Sequence, residues 1–249
     1  MGSETSQKLP VIDFTNINLA NREIVKSQIY EALVEYGCFE ANFDKISLEL
    51  RKAIFGSIEE VFDLPLEKKL VNVCKMKHQE YVGQSPLVPL FESLGIDYAN
   101  NFERVKSITN IWWPEGNLNF SGPPTNVLTN HVGGLEVMTK DEKWISYKPS
   151  LNSFVVMIGD SLKAWSNGRL HSPFHRVMMS GNETRYSLGL FTVPKGGCTF
   201  KAPDELVDEE HPLLFKPFDF ADFLDYRYSE KGRMDQFSLH TYCGVDGSP

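Results

Sequence analysis

The densest group of reactive side chains lies in the last third of the chain. His175-Arg176-Val177 is followed, ten residues after the histidine, by Arg185-Tyr186-Ser187. On extended backbone His175 and Val177 share one face, and so do Arg185 and Ser187. If Gly181-Asn182-Glu183 forms an odd-length turn between two paired strands, these faces coincide. An imidazole, a guanidinium and a hydroxyl then point into one barrel mouth. Neutral imidazole is a metal ligand. A guanidinium fork beside a hydroxyl grips a carboxylate through charge-assisted bonds. An arginine facing inward among Leu188, Leu190 and Phe191 is costly without an anionic partner. The spacing points to a small dicarboxylate that chelates a metal on His175 and meets Arg185 and Ser187 at its far end. The plainer reading places Arg185 at a strand start, paired with a surface acid.

The elements that must position these groups fall into two textures. Leu9 to Phe14 reads as an edge strand, with Pro10 near its start. Asn21 can cap a helix whose apolar stripe is Val25, Ile29, Ala32, Leu33 and Tyr36, and Gly37 stops it. Cys38 to Ala41 is a short strand. Ser47 opens a second helix that buries Leu50, Ile54, Phe55, Ile58, Val61 and Phe62, and Pro65 starts a short third. Residues 76–132 are rich in Gly, Pro and Asn and read as a long loop, which covers a pocket or marks missing sequence. From Gly134 the texture is β. Leu135 to Thr139 and Trp144-Ile145 flank a hairpin turn, Phe154 to Ile158 is an apolar strand, and Asn167-Gly168 is a turn. Strands then follow at His175 to Met179 and Arg185 to Val193. A final helix starts near Asp219. Short strands at this spacing suggest a sandwich or jelly roll.

The chain has 249 residues, with 25 Lys and Arg against 33 Asp and Glu, a net charge of −8. No positive excess exists to release counterions, so a nucleic-acid partner is not expected. With 17 Phe, 9 Tyr and 4 Trp the chain is not disordered. Cys38, Cys74, Cys198 and Cys243 are too far apart for a zinc knuckle or redox pair and read as reduced thiols of the cytoplasm. No apolar run approaches the roughly 18 residues of a membrane span. Gly2 and Ser6 match the loose myristoylation pattern, yet no polybasic patch follows, so no membrane partner is expected. No surface pattern favours an oligomer, and a monomer is the expectation. Of the other histidines, His131 reads as a turn residue, His171 as packing, and His211 and His240 as exposed. His78-Gln79-Glu80 has a His-x-acid form that chance alone supplies, and it reads as a solvated loop. Asp204 to Glu210 is a solvated acidic face, and Trp112-Trp113 is core or pocket lining.

The ordered blocks Leu9-Pro10-Val11-Ile12-Asp13-Phe14, Glu31 to Glu40, Tyr81-Val82-Gly83-Gln84 and Trp113-Pro114-Glu115-Gly116-Asn117 carry a resemblance that continues in the second half. There it is borne by Gly134-Leu135-Glu136-Val137, Ile158-Gly159-Asp160, Ser166 to Pro173, His175-Arg176-Val177, Arg185-Tyr186-Ser187 and Glu205 to Asp208. The chain resembles plant Fe(II)- and 2-oxoglutarate-dependent dioxygenases, in the branch with glucosinolate side-chain-modifying and lignan ring-closing enzymes. The likeness covers residues 8–120, an N-terminal region of helices and loop-rich cover, and 126–244, a C-terminal jelly-roll remnant. It implies an α+β protein with a double-stranded β-helix core and helices packed outside. It also implies an oxidoreductase of secondary metabolism that oxidises a small hydrophobic or amphipathic metabolite. The cofactors implied are Fe(II) and 2-oxoglutarate, with ascorbate as reductant and succinate and CO₂ released. By this resemblance His175 is a metal ligand, and Arg185 and Ser187 hold the distal carboxylate of 2-oxoglutarate.

One departure changes the functional expectation. The family's other two metal ligands, a His-x-Asp pair, belong just before Asn126-Val127-Leu128-Thr129, where this chain reads Ser121-Gly122-Pro123-Pro124-Thr125. A helical segment and the first core strands are also expected there and are absent. The core is therefore expected to be incomplete and catalysis impaired, with no catalytic residue assigned. A non-catalytic binder of small carboxylates, a partner subunit, and the product of an aberrant transcript are the other readings.

Overall fold

The computed structural model describes residues 8–72, 74, 80–117, 120, 128–192, 194 and 197–245. Gly2, Ser6, His78-Gln79 and Ser121 to Thr125 lie outside them. In chain order the elements are β1 (Val11–Asp13), α1 (Arg22–Glu35), β2 (Cys38–Asn42), α2 (Leu48–Phe62), α3 (Leu66–Leu70), α4 (Phe102–Trp112), β3 (Leu128–Thr129), β4 (Leu135–Met138), β5 (Trp144–Ser146), β6 (Ser153–Met157), α5 (Asp160–Trp165), β7 (His175–Val177), β8 (Ser187–Leu188), β9 (Thr199–Phe200), β10 (Phe218–Asp219), α6 (Phe220–Tyr228), α7 (Glu230–Met234) and α8 (Ser238–Cys243). They form two compact units. One comprises the described parts of Met1–Lys45 and Val127–Pro249, the other those of Ile46–Asn126.

The larger unit is layered. One sheet has the order β1-β2-β6, another β5-β4-β7, with two-stranded pairs β3-β8 and β9-β10 beside them. β1 runs parallel to β2, with Ile12 opposite Ala41, and β2 runs antiparallel to β6, with Glu40 opposite Val155. Alternation then sends successive side chains to opposite faces. Leu9, Cys38 and Val155 from one sheet meet Val137, Ile145 and Tyr147 from the other in a shared core. Ile12, Phe39 and Ala41 point the other way and pack under Val25 and Ala32 of α1. A third cluster seats Phe218 of β10 and Phe223, Leu239 and Cys243 of the C-terminal helices against Ala164.

Two local features mark the ends of α1. Asn21 occupies the N-cap position, but its side chain accepts from Asn18 N, leaving α1 without the expected side-chain cap. At the other end Gly37 adopts φ +69°, and a Cβ there would lie 2.2 Å from the His171 carbonyl oxygen, so glycine is required by both backbone and packing. The Asn167-Gly168 turn is also seen, with φ +49° and +77°. The Asn167 amide donates to Leu206 O and Pro212 O and accepts from Leu214 N, tying the acidic segment down.

The smaller unit corrects two expectations. Within the stretch read as a long loop, Phe102–Trp112 is helical, capped by Asn101, whose side chain accepts from Arg104 N. Val105, Ile108 and Trp112 recur at helical spacing and are buried, a pattern that the surrounding Gly and Pro residues masked. In α2, Val61 is fully buried as expected, but Arg51 and Ser57 are buried too, while Leu50 stays exposed. Ser57 is satisfied by donating to Ala53 O, and Arg51 stacks over Phe55, so the buried line tolerates polar groups.

All four cysteines are free thiols, with Cys38, Cys74 and Cys243 buried and Cys198 exposed. Burial pushes the Cys38 thiol up to about 12 and Cys243 up to about 11. It also raises Cys74, again chiefly through desolvation. Thiolate is the reactive form, so one thiol should react quickly with a disulfide reagent at pH 8 in the native chain and all four in denaturant. A Cys198→Ser chain should lose the fast phase; its persistence would contradict the buried packing.

Candidate functional site

His175 opens β7, directly opposite Val137 of β4. Opposed residues share a face, so His175 and Val177 lie on the side of the sheet that carries buried Val137. The neighbouring Arg176 lies on the other side, bonded to Glu136 and stacked 4.0 Å over the Trp144 ring. β7 is an edge strand, and all three of its residues are exposed, Val177 at 49%. His175 Nδ1 lies 3.3 Å from the Pro173 carbonyl oxygen. A proton on Nδ1 that donates to this carbonyl leaves the Nε2 lone pair open for a ligand role.

Arg185 and Ser187 are placed differently from the hairpin expectation. β7 pairs with β4, whereas β8, which begins at Ser187, pairs with β3, so the two strands belong to different sheets. Turn parity therefore does not govern whether their faces coincide, and of the strand expected over Arg185 to Val193 the described residues, which leave out Val193, show Ser187–Leu188. Among the described residues no hydrogen bond or ion pair joins His175 to Arg185 or Ser187.

The state of Arg185 is nonetheless informative. Its side chain is half-buried, and its Nε is enclosed without a hydrogen-bond partner among the described residues. Desolvation alone lowers the guanidinium from its usual value. Among the described residues the surface ion pair considered for it is not seen; the neighbouring acid, Glu183, pairs with His131. An enclosed, unpartnered cation donor suits an anionic ligand. Ser187 is exposed beside it.

A residue that spacing did not reveal holds this segment. Asn130, just after β3, donates from its side chain to Thr184 O and accepts from Tyr186 N, bracketing Arg185 on both sides. Its own backbone N–H donates to Tyr186 O. Partners so far apart in sequence leave no local signature.

The remaining histidines lie elsewhere. His171 donates its backbone N–H to Leu33 O and serves in packing, its imidazole held below the usual histidine range by burial and then by Lys140 and Lys163. His211 is exposed and pairs with Asp208. His240 corrects its expectation: it is half-buried, its ring 5.6 Å from Phe215, because α8 packs on that side chain. Among the described residues no group of three His, Cys, Asp or Glu is placed to hold a metal ion. Among the described residues the donors around His175 thus do not make up an iron site by themselves, whereas the enclosed guanidinium of Arg185 has the chemistry to take a carboxylate.

Two family profiles match the chain: the 2OG-Fe(II) oxygenase superfamily over residues 125–194, and the non-haem dioxygenase N-terminal region over residues 9–90. A probable 2-oxoglutarate-dependent dioxygenase of Arabidopsis thaliana, AOP1.2, is 38% identical over 313 positions that cover 96% of each chain. The chain belongs to the 2-oxoglutarate-dependent dioxygenase family. The fold agrees with that of the rice dioxygenase for auxin oxidation, with a TM-score of 0.75 at 22% identity over 96% of this chain and all of that one. It agrees also with JOX2, solved with 2OG, Fe and JA, at 0.69 and 19% identity over 98% and 90%. The dioxygenase fold, a jelly roll with helices outside, is thus the one expected. The AOP1.2 alignment runs over 313 positions against 249 residues, so at least 64 of them face no residue of this chain.

Proposed function

We propose that this dioxygenase keeps the 2-oxoglutarate carboxylate site on Arg185 and Ser187 and one metal ligand, His175, but lacks the His-x-Asp pair, so that iron-dependent turnover is impaired. The observation that carries the reading is the setting of His175: it stands exposed on an edge strand, and among the described residues it belongs to no group of three His, Cys, Asp or Glu that could hold a metal ion. Three further features agree. The missing alignment positions number several tens, the two family profiles leave residues 91–124 between them, and from Trp113 to Gly134 the sequence offers only Glu115 and His131 as acids or histidines. His131 is held on the surface by Glu183. The uncovered Val177, Met178 and Met179 suit a barrel that lacks core strands.

On this reading residues 8–120 are the N-terminal cover and 126–244 the jelly-roll remnant. The substrate class is a small hydrophobic or amphipathic metabolite, and the chain works in the cytoplasm as a monomer. Among the described residues no helix is long and apolar enough to cross a membrane. The family's cofactors are Fe(II) and 2-oxoglutarate. Bound together they supply oxidation of a C–H bond coupled to decarboxylation. A single imidazole lacks the preorganised tripod that this chemistry requires.

The test is succinate release from labelled 2-oxoglutarate by the purified chain with Fe(II) and ascorbate. The expected rate is that of buffer with iron alone. Release above that background that disappears in His175→Ala refutes the impairment. Sequencing transcripts across the codons for residues 120–126 should reveal whether a longer sibling form carries the His-x-Asp pair.

A further inference from the structure

Among the described residues no strand pairs with the outer side of β1 in the β1-β2-β6 sheet, and this edge borders a groove. Glu40 N donates to Pro10 O and Phe14 N donates to Asn42 O, so the parallel ladder engages the even-numbered residues of this strand. Alternate residues direct their backbone groups to opposite sides. The N–H and C=O of Val11 and Asp13 therefore face away from β2, and Val11 is 63% exposed. Beside this edge lies a groove of about 360 Å³, floored by Ile12 and Ala32 and walled on the helix side by Glu31 and Glu35. Both carboxylates are exposed; Glu31 accepts from the Ser27 hydroxyl, and no lysine or arginine among the described residues pairs with either.

We propose that this groove receives an extended basic segment of another protein, added to β1 as a further strand, with lysine or arginine at alternate positions. Strand addition supplies the main-chain affinity and side-chain pockets supply the specificity. The spacing sets the pattern. Glu31 and Glu35 are one helical turn apart, about 6.0 Å along the axis. Side chains at positions i and i+2 of a strand are about 6.6 Å apart on one face. Two basic side chains separated by one residue thus reach both carboxylates, laying their aliphatic stems on the apolar floor. A second copy of this chain is the poorer occupant. It carries the same net charge of −8, and edge-to-edge pairing would bring Glu31, Glu35 and Asp13 of both copies together.

The probe is a fluorescein-labelled, end-blocked peptide, Thr-Lys-Val-Lys-Val-Thr, titrated with the full chain and read by anisotropy at low salt. Saturable binding is expected. Glu31→Lys with Glu35→Lys should weaken it by at least about tenfold, as should replacing both peptide lysines by glutamate. Placing the lysines adjacent, in Thr-Lys-Lys-Val-Val-Thr, should weaken it as well, because neighbours point to opposite faces. Two further peptides carry N-methyl groups, one on both lysines and one on both valines. One of the two should lose at least about tenfold, since strand direction decides which N–H groups meet β1. No binding by the parent peptide, or equal binding by both methylated peptides, overturns the proposal. So does a dimer in sedimentation that Val11→Pro dissociates, which would assign the edge to a second copy.

Discussion

Replacing Arg185 by leucine should weaken 2-oxoglutarate binding at least about 30-fold and, in the same protein, raise the stability of the unliganded chain. The two effects share one cause. Arg185 keeps an enclosed Nε without a partner among the described residues, and burial lowers its guanidinium from the usual value. A buried donor without a partner costs about 1–3 kcal/mol, which the leucine removes. Truncating one side of a buried, hydrogen-bonded charge pair costs about 2–5 kcal/mol, so affinity should fall at least about 30-fold. Calorimetry with 2-oxoglutarate and a denaturant titration without it measure the two halves. Arg185→Lys retains the charge but loses the fork, and should bind weakly without the full gain in stability. If Arg185→Leu is destabilising and binding persists, the arginine is an ordinary structural cation, and the assignment of the carboxylate site fails. The experiment needs no iron, so it separates this half of the functional reading from the loss of metal ligands.

The residues proposed for the carboxylate and the metal are announced by the sequence, while their placement is not, for physical reasons. His175 and Arg185 stand out because an imidazole and a guanidinium in apolar strand sequence demand partners. Local rules also reach β1, α1, β2, the β4-β5 hairpin and α6, which starts where expected, with Asp219 as a cap that accepts from Ala221 and Asp222 N. Pairing was another matter. The segments at His175 and Arg185 look like a hairpin because they are close in sequence, yet β7 joins β4 and β8 joins β3. A jelly roll sends successive strands to different sheets, and only distant partners settle which. Asn130 brackets Arg185 from 54 residues before Thr184, a contact no local period announces. The helix Phe102–Trp112 was readable from its own apolar spacing, but the Gly- and Pro-rich sequence on both sides diluted the pattern.

That helix carries the other large effect: Trp112→Ala should unfold the smaller unit before the larger one. Trp112 is fully buried, with Val61 and Ile108 packed around it. Its ring meets Trp113 edge-on at 5.8 Å and Phe120 at 5.3 Å. Its indole N–H donates to Lys68 O, and the Lys68 ammonium donates back to Trp112 O, so the side chain also closes a link between α3 and α4. Deleting a buried tryptophan costs about 3–5 kcal/mol, against a total of about 5–15 kcal/mol for an ordinary domain. Every member of this cluster comes from Ile46–Asn126, so the loss falls on that unit's own core. Hydrogen exchange should show lost protection over Leu48–Phe62 and Phe102–Trp112, while the amides of Cys38–Asn42 and Ser153–Met157, whose ladder does not involve the cluster, keep theirs. Trp112→Phe, which keeps most of the packing but not the bond to Lys68, should fall between the two. A uniform loss of protection along the whole chain would mean instead that the two units fold as one cooperative block.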